Sequence, residues 1–336
     1  MPLQGFTRFR KHQVGKQTSF GSNTAATRVL PFRGPIKINP SRTDPDVDTG
    51  SIDPVLARYN GPLEITSSWD GPLSYNDLPY VLSGGLKGGV TPTGATAKTW
   101  TYQAASLTAD DFEYFTDEWG DDATTDTIIA GSGIVDSFDM SFGDQLGPFQ
   151  LSAALVYARA RHGSGPTGGL TVDSDPTWIY GDDSEFFLDT VAASIGTTKW
   201  TDTVHSIGLS VNGNNDRKRF ANGSNTRFQL AAYGRGARTG ELKVTVAKTT
   251  ASIAEADTLQ TDPVPTRFLE VRTTSPVIIT GVIPYSYSLR VAAELTDRED
   301  GEIGGNSTIT LTYAIKYNAT LGYAYRAVVV NTLASL

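Results

Sequence analysis

Carboxylates are the residues of this chain whose number and spacing come nearest to a chemical signature. They gather in three clusters, and only the third cluster contains a basic residue, Arg298. The first cluster consists of Asp110, Asp111, Glu113, Asp117, Glu118, Asp121, Asp122 and Asp126; the second consists of Asp173, Asp175, Asp182, Asp183, Glu185 and Asp189; the third consists of Glu294, Asp297, Glu299, Asp300 and Glu302.

Three kinds of site use carboxylates in this way. A calcium loop needs oxygen ligands at alternating positions around a fixed turn, and the pattern D-x-[DN]-x-[DN]-G does not occur in the sequence. A glycoside hydrolase needs two carboxylates that face each other across a cleft, but any acid-rich chain offers such pairs. A solvated or pore-facing acidic surface needs no special geometry, and we predict that the clusters form such a surface.

Other residues that carry chemistry are scarce or isolated. The chain has no cysteine, which removes disulfides, thiolate metal sites and cysteine nucleophiles together. His12, His162 and His205 are far apart, and residues 84–89 lack the order of a phosphate-binding loop. The sequence therefore predicts no catalytic, cofactor-binding or metal-binding residue, and we expect a protein that is not an enzyme and uses no cofactor.

Two further groups of residues have structural interpretations. The basic triplet at residues 217–219 lies beside Asn-Gly turns, which predicts a loop tip or a subunit contact. Five tryptophans are scattered along the chain, and packing in a core or an interface accounts for them without a sugar-stacking platform. They are Trp69, Trp100, Trp119, Trp178 and Trp200.

Charge is distributed unevenly over the 336 residues, whose net charge is −8. Residues 1–43 contain eight basic and no acidic side chains, so the remainder has 20 basic and 36 acidic residues. Such a basic segment before an acidic body predicts an extended N-terminal arm. The arm is either a disordered leader or a segment that docks on the acidic surface of a neighbouring copy.

Secretion and membrane insertion are not expected. The N-terminal residues lack the apolar region of an export signal, and the longest apolar runs are far shorter than the ~20 residues that cross a bilayer. We therefore expect a soluble protein without a membrane partner.

Alternation of apolar and polar residues predicts a fold that is all β with minor short helix. The predicted strands are Leu63–Ser67, Lys98–Gln103, Ile134–Phe142, Phe149–Ala158, Val204–Val211, Phe228–Tyr233, Leu242–Lys248, Phe268–Thr273, Tyr287–Ala293, Thr308–Tyr317 and Tyr323–Val330. Short helices are predicted at Ser74–Ser83 and Ala251–Leu259. Turns are predicted at Asp70-Gly71, Asn212-Gly213, Asn222-Gly223 and Asp300-Gly301.

A partial repeat suggests duplication. Residues 135–142 and 204–211 share the pattern V-x-S followed by alternating apolar residues, and a Phe-Gln-Leu triplet follows each of them, at 149–151 and 228–230. The spacing is shorter than a complete domain, so two similar hairpins that arose by chance are the alternative. We predict a first β domain at 44–198 and a second at 199–336, which is either a repeat of the first or an outer decoration.

The order of four segments resembles that of the tail tube (major tail) proteins of long-tailed, non-contractile bacteriophages. The segments are GKQTSFGSNTAATRVLPFRG at 15–34, PLSYNDLPYVLSGGLKGGVTPTG at 72–94, KTWTYQ at 98–103 and YFTDEWGDDATTDTIIAGSGIVDSFDMSF at 114–142. The resemblance covers roughly residues 15–160 and is looser over residues 200–330.

This resemblance implies tube-type β-sandwich domains whose sheets join between subunits into a continuous β-barrel that lines a channel. It implies a structural virion protein of the phage tail, assembled in the cytoplasm of the bacterial host as stacked homo-oligomeric rings. Double-stranded DNA would pass through the acidic channel without specific binding, because carboxylates repel phosphates. The implied partners are other copies of the chain and other tail proteins, such as the tape measure, terminator and distal tail proteins.

Two questions stay open at this point. A chain with two tube-type domains would form a ring from three copies, and a chain with one would need six; the partial repeat favours the trimer. Alternative functions are another component with the same fold, such as a tail terminator, a baseplate hub or the inner tube of a secretion system, or a β-sandwich carbohydrate-binding module.

Overall fold

A computed structural model describes residues 10–43, 59–104, 110–121, 127–143, 147–163, 165–201, 203–219 and 230–336. Its strands are β1 Arg10–Lys16, β2 Arg28–Leu30, β3 Lys37–Thr43, β4 Tyr59–Pro72, β5 Lys98–Gln103, β6 Phe115–Asp121, β7 Thr127–Phe142, β8 Gln150–Tyr157, β9 Arg159–Gly163, β10 Ser184–Asp189, β11 Val204–Asn212, β12 Asp216–Lys218, β13 Ala232–Gly234, β14 Thr239–Ala247, β15 Thr266–Thr280, β16 Ile283–Ile303, β17 Asn306–Lys316 and β18 Tyr325–Asn331. Its helices are α1 Leu78–Gly85 and α2 Thr250–Ala256, with short 3₁₀ turns at Ala192–Ser194 and Asp257–Gln260. The predicted fold class, all β with minor short helix, is confirmed at this level.

The strands form because apolar side chains alternate with polar ones over their whole length. In β17, Ile309, Leu311 and Tyr313 are buried, whereas the threonines between them belong to the opposite face. β-Branched and aromatic residues pack well on such a pleated surface. Every ladder in the described part of the chain is antiparallel, and sixteen strands belong to one hydrogen-bonded network.

Two unusually long strands connect the layers of this network. The first half of β7 pairs with β6 and β9, and its second half pairs with β8 and β11. The first half of β16 pairs with β15 and β18, and its second half pairs with β17. Each strand has a register shift between the two halves, at Val135/Ser137 and at Leu295/Asp297. A β-bulge bends a strand and increases its twist. At its bulge, each of these two strands therefore passes from one layer of the fold into the other.

The layers that result are packed face to face. One is an eight-stranded sheet, in the order β3-β4-β8-β7-β11-β14-β17-β16 within the described residues. Behind it lie the strands β10-β15-β16-β18-β5 and β2-β1-β6-β7-β9. Met140, Leu242 and Val244 of the eight-stranded sheet share one apolar core with Val271 and Leu289 of the back layer. The described strands do not close into a barrel within one chain.

The topology contains an internal duplication. The series β1-β3-β4-α1-β6-β7-β8-β9 matches the series β10-β11-β14-α2-β15-β16-β17-β18, whereas β2, β5, β12 and β13 have no counterpart in the other half. Both halves contribute four strands to the eight-stranded sheet in the same order, β3-β4-β8-β7 and β11-β14-β17-β16. In both halves a helix follows the second of these strands, and the long strand carries the bulge.

This duplication differs from the repeat that the sequence suggests. Residues 135–142 and 204–211 lie in β7 and β11, which are hydrogen-bonded neighbours rather than equivalent strands. The counterpart of β7 is β16, and the counterpart of β11 is β3. In the second Phe-Gln-Leu triplet, residues 228 and 229 lie outside the described residues. The similarity between β7 and β11 therefore reflects two strands with the same buried face, not two copies of one unit.

Residues 10–43 are part of the body, in contrast to the extended arm that we expected over 1–43. β1 pairs along its whole length with β6 and also with β2, and Val14 is fully buried. Residues 1–9 of the expected arm, and residues 44–58 after it, lie outside the described residues. The boundary at 198/199 stays a prediction, although the eight-stranded sheet continues across it through β7 and β11.

Several predicted turns and ends differ from the structure. Gly71 lies inside β4 and Gly301 inside β16, where the hairpin turn comes later at Gly304-Gly305, both with positive φ. The helix predicted at Ser74–Ser83 begins at Leu78, after a turn in which Ser74 Oγ donates to Asp77. Asn222-Gly223 and the first part of the strand predicted at Phe228–Tyr233 lie outside the described residues.

Helix α1 fills the space between the layers, and all of its residues are buried. It packs on the back of β7 through glycines, because a Cβ at Gly84 would lie 2.7 Å from Val135 Cγ2 and one at Gly85 would lie 2.7 Å from Phe138 Cδ1. Pro79, at the start of the helix, is at a position where proline is tolerated. The glycine-rich segment that follows the helix signal thus serves close packing.

We predict that Gly85→Ala destabilises the protein. Alanine is normally the better helix residue by about 1 kcal/mol, but here its methyl group would overlap the buried Phe138 ring, at a cost of about 1–3 kcal/mol. Gly143→Ala is the matched control, because no atom lies within 4 Å of its added Cβ. Thermal unfolding should show a lower Tm for Gly85→Ala alone; equal Tm values for both variants would contradict this packing.

Candidate functional site

The first acidic cluster is largely buried, so its predicted role as a solvated or pore-facing surface is wrong for these residues. Glu113, Asp117, Glu118 and Asp121 are all at most 5% exposed, whereas Asp110 is partly buried and Asp111 is exposed. Asp122 and Asp126 lie outside the described residues. The described members of the cluster lie just before β6 or within it. β6 pairs with β1 and β7, and the loop after β9 donates a hydrogen bond to it.

Asp117 is the centre of a buried polar network. Its Oδ2 atom accepts hydrogen bonds from Tyr157 OH at 2.5 Å and from Trp69 Nε1 at 3.1 Å, and it lies 2.9 Å from His12 Nε2. Burial, with the neighbouring Asp117 carboxylate, raises the pKa of Tyr157 well above its usual value, so the phenol keeps its proton. These bonds join β1, β4, β6 and β8 in the interior. The isolated His12 therefore has a structural role.

The other buried carboxylates hold loops and strands in place through similar contacts. Glu118 accepts from the backbone and the hydroxyl of Thr167, and Glu113 pairs with Lys16 at 3.0 Å. In the second cluster, Asp189 accepts from the backbone N–H groups of three residues at 196–198. Asp173, Asp175 and Asp182 of that cluster are exposed. The third cluster lies on the second half of β16, where its side chains are mostly exposed, as predicted.

The outward face of the eight-stranded sheet is an extended polar surface. Its cross-strand registers align one row of residues across six strands, from Ala314 through Glu241, Ser210, Asp139 and Ser152 to Asp70. The next row runs through Thr312, Lys243, Gly208, Ser141 and Gln150. We call this surface the polar face.

Small and acidic side chains dominate the polar face. Along β4, β8, β7, β11, β14 and β17 its members are Glu64, Thr66, Ser68, Asp70, Gln150, Ser152, Ala154, Ser137, Asp139, Ser141, Ser206, Gly208, Ser210, Asn212, Thr239, Glu241, Lys243, Thr245, Ala247, Thr308, Thr310, Thr312, Ala314 and Lys316. These positions include no aromatic residue. The acidic part of β16 then continues the surface with Glu294, Asp297 and Glu299.

Hydrogen bonds between neighbouring side chains fix several members of the polar face in place. Asp70 accepts from Ser68 Oγ at 2.5 Å and from Ser152 Oγ at 2.7 Å. The hydroxyls of Thr245 and Thr310, which are directly opposite on β14 and β17, lie 2.9 Å apart. The face is thus a hydroxyl-rich wall on which the Asp70 carboxylate is held in place. Such a wall repels polyanions and gives them few basic or aromatic groups to bind.

A second surface of note is the tip of the β15–β16 hairpin. Val277, Ile278, Val282 and Ile283 are between 43% and 90% exposed. β16 is 21 residues long, about 70 Å at 3.3 Å per residue. The N-terminal end of β16 therefore carries the exposed apolar tip, and its C-terminal half carries the exposed third acidic cluster.

The tryptophans and the basic triplet at residues 217–219 lie in different parts of the fold. Trp69 and Trp100 are buried, and Trp119, Trp178 and Trp200 are partly buried. Arg217 and Lys218 belong to the short ribbon of β12 and β13, where Arg217 lies 3.5 Å from Glu64.

No group of three His, Cys, Asp or Glu side chains with metal-binding geometry occurs among the described residues. The described helices are also too short and polar to cross a membrane.

No family model matches this chain, and no curated protein is significantly similar to it.

Sequence reasoning missed both the buried network and the polar face. His12 and Asp117 are 105 residues apart, and no local pattern indicates that they meet. The polar face does have a signal, because serine and threonine occupy alternate positions of β7, β11 and β17. That signal shows which residues share a face, but not which strands are neighbours.

We predict that substitution by alanine strongly lowers the free energy of unfolding at Asp117 and hardly changes it at Asp139. Asp117→Ala removes the buried carboxylate that Tyr157 OH, Trp69 Nε1 and His12 Nε2 share, and it should cost about 3 kcal/mol or more. Asp139→Ala, on the exposed polar face, should change the free energy of unfolding by no more than ~0.5 kcal/mol. Denaturant unfolding measures both. A small effect of Asp117→Ala would argue against the network, and a large effect of Asp139→Ala would argue against a structurally free polar face.

Proposed function

We propose that this protein is a structural subunit that polymerises as stacked rings into a tube, the tail tube of a long-tailed bacteriophage, with the polar face as the wall of the DNA channel. The observation that carries the proposal is the eight-stranded sheet, whose apolar side packs on the back layer. Its other side carries small and acidic residues that are exposed or partly exposed, apart from the buried Thr308 and Thr312. The resemblance of residues 15–160 to tail tube proteins supports the same function.

The duplication favours a ring of three copies. Three eight-stranded sheets supply 24 strands, and with about 4.8 Å between strands and a tilt of roughly 40° they close a barrel about 48 Å in backbone diameter. Six copies would double that diameter. Each copy would then act as two tube-type units in tandem, so the trimer has pseudo-sixfold symmetry.

The chemistry of the polar face suits the passage of DNA. Binding to a phosphate backbone depends mainly on lysine and arginine, and the polar face has more carboxylates than basic residues. Single-stranded regions bind by stacking on aromatic side chains, which are absent from these positions. DNA would therefore slide along the wall without being retained.

The apolar hairpin tip suits contact between successive rings. An exposed apolar tip on a monomer is unfavourable in water and gains free energy when a partner covers it. Because the tip lies at only one end of β16, the two ends of a ring would differ. That polarity allows rings to stack head to tail.

Negative-stain microscopy of the concentrated protein tests this proposal. We expect rings and tubes from the wild type, and rings without tubes from Val282→Asp, because a charge at the tip opposes burial. Val172→Asp is the matched control, since Val172 is also an exposed valine, 50% accessible, but lies in a loop. Dispersed monomers of the wild type at all concentrations would contradict the proposed function; tubes of Val282→Asp would contradict the role of the tip.

Charge reversal on the wall tests the channel. Tubes that carry Asp139→Lys and Glu241→Lys should retain short DNA duplexes at low salt and release them as salt rises, as measured by co-sedimentation of labelled DNA. Tubes of the wild type, or with Asp173→Lys and Asp175→Lys on an exposed loop, should retain little. Equal retention by the two double variants would show that the polar face does not meet the DNA.

A further inference from the structure

The eight-stranded sheet ends in two edges that have no partner within the described part of the chain. At one end, β3 pairs only with β4, and Arg33 extends this pairing through a bridge to Asp70. At the other end, the second half of β16 pairs only with β17. Unpaired edges expose rows of N–H and C=O groups that readily pair with another chain.

The chain itself contains a template for joining such edges. Where the two repeats meet, β7 pairs with β11, and the register places Phe142 opposite Ile207, Asp139 opposite Ser210 and Ser137 opposite Asn212. By the duplication, β16 is the counterpart of β7 and β3 is the counterpart of β11. The same junction between two chains would therefore join β16 of one copy to β3 of the next.

The bulges and ladders set the register on the β16 side. The shift at Val135/Ser137 corresponds to the shift at Leu295/Asp297, so Asp139 corresponds to Glu299. Their partners across the next ladder are Ser152 and Thr310, which are therefore equivalent.

The same steps lead across the sheet to β3. Ser152 faces Asp70 and Thr310 faces Thr245, so these residues on β4 and β14 are equivalent. Four positions earlier on the same strands, Thr66 faces Lys37 and Glu241 faces Ser210. Lys37 is thus the counterpart of Ser210.

We propose that residues 34–39 of one copy pair antiparallel with residues 297–302 of a second copy, with Lys37 opposite Glu299 and Asn39 opposite Asp297. This inference rests on the proposed function, and it names the surface by which neighbours in a ring join. The pairing extends the polar face from copy to copy without a break and leaves no open edge in a closed ring.

Charge complementarity supports the second copy as the occupant. The edge along β3 carries Arg33, Lys37 and Arg42, all exposed, and no acidic residue. The edge of β16 carries Asp297, Glu299, Asp300 and Glu302, all exposed. At the internal junction the pair at the corresponding position is Ser210 and Asp139. Opposite charges directly across a ladder stabilise a pair of strands and suppress wrong partners.

Cysteine cross-linking tests the register, since the chain has no cysteine of its own. Residues directly opposite in an antiparallel pair have Cα atoms within disulfide range. The full-length chain with Lys37→Cys and Glu299→Cys should form intermolecular disulfides on mild oxidation, seen as a ladder of covalent oligomers on a non-reducing gel. The control Lys37→Cys with Arg298→Cys moves one thiol to the opposite face of β16, and it should stay mostly monomeric on the gel.

Charge reversal gives a second measurement that does not depend on disulfide geometry. Lys37→Glu and Glu299→Lys should each reduce the fraction of protein in rings several-fold, and the two together should restore it. Rings by microscopy without cross-links and without restoration would overturn this junction while leaving the tube function intact. Absence of rings from the wild type would overturn both.

Discussion

The fold depends on two strands that each belong to two layers. β7 and β16 pair with one set of partners before their bulges and with another set after them. Through these ladders β7 fixes the position of four other strands, and β16 fixes the position of three. The core, helix α1 and the flat polar face all follow from where these two strands bend.

The same arrangement explains why the basic N-terminal segment is part of the body. β6 needs a partner on the edge that faces away from β7, and β1 supplies it, just as β10 does for β15 in the second repeat. His12 then reaches Asp117 in the interior. In the second repeat a different polar set lies at this place, where Glu270 accepts from Arg290 Nε and Ser288 Oγ. The two halves thus share their topology, while their buried polar residues differ.

Much of the secondary structure is predictable from the sequence, because it is encoded locally. Alternation identifies β5 at its observed bounds and β7, β8, β11 and β17 to within a few residues, apart from the first half of β7. Gly71 and Gly301 mislead, since a glycine inside a ladder looks like a turn in the sequence. The order of strands in the sheet, the true repeat and the partner of Asp117 arise from pairing between distant segments, which no local pattern reveals. The polar face is the intermediate case: its residues are visible in the sequence, and its continuity is not.

We infer that each chain provides two tube-type units of a ring, so that three copies close the ring. Native mass spectrometry of the ring measures this number directly. The account predicts a closed species with the mass of three 36.0 kDa chains, and tubes whose mass grows in multiples of three. A ring of six chains would contradict it, because both repeats contribute strands to the same eight-stranded sheet and six such sheets would close a barrel of twice the diameter.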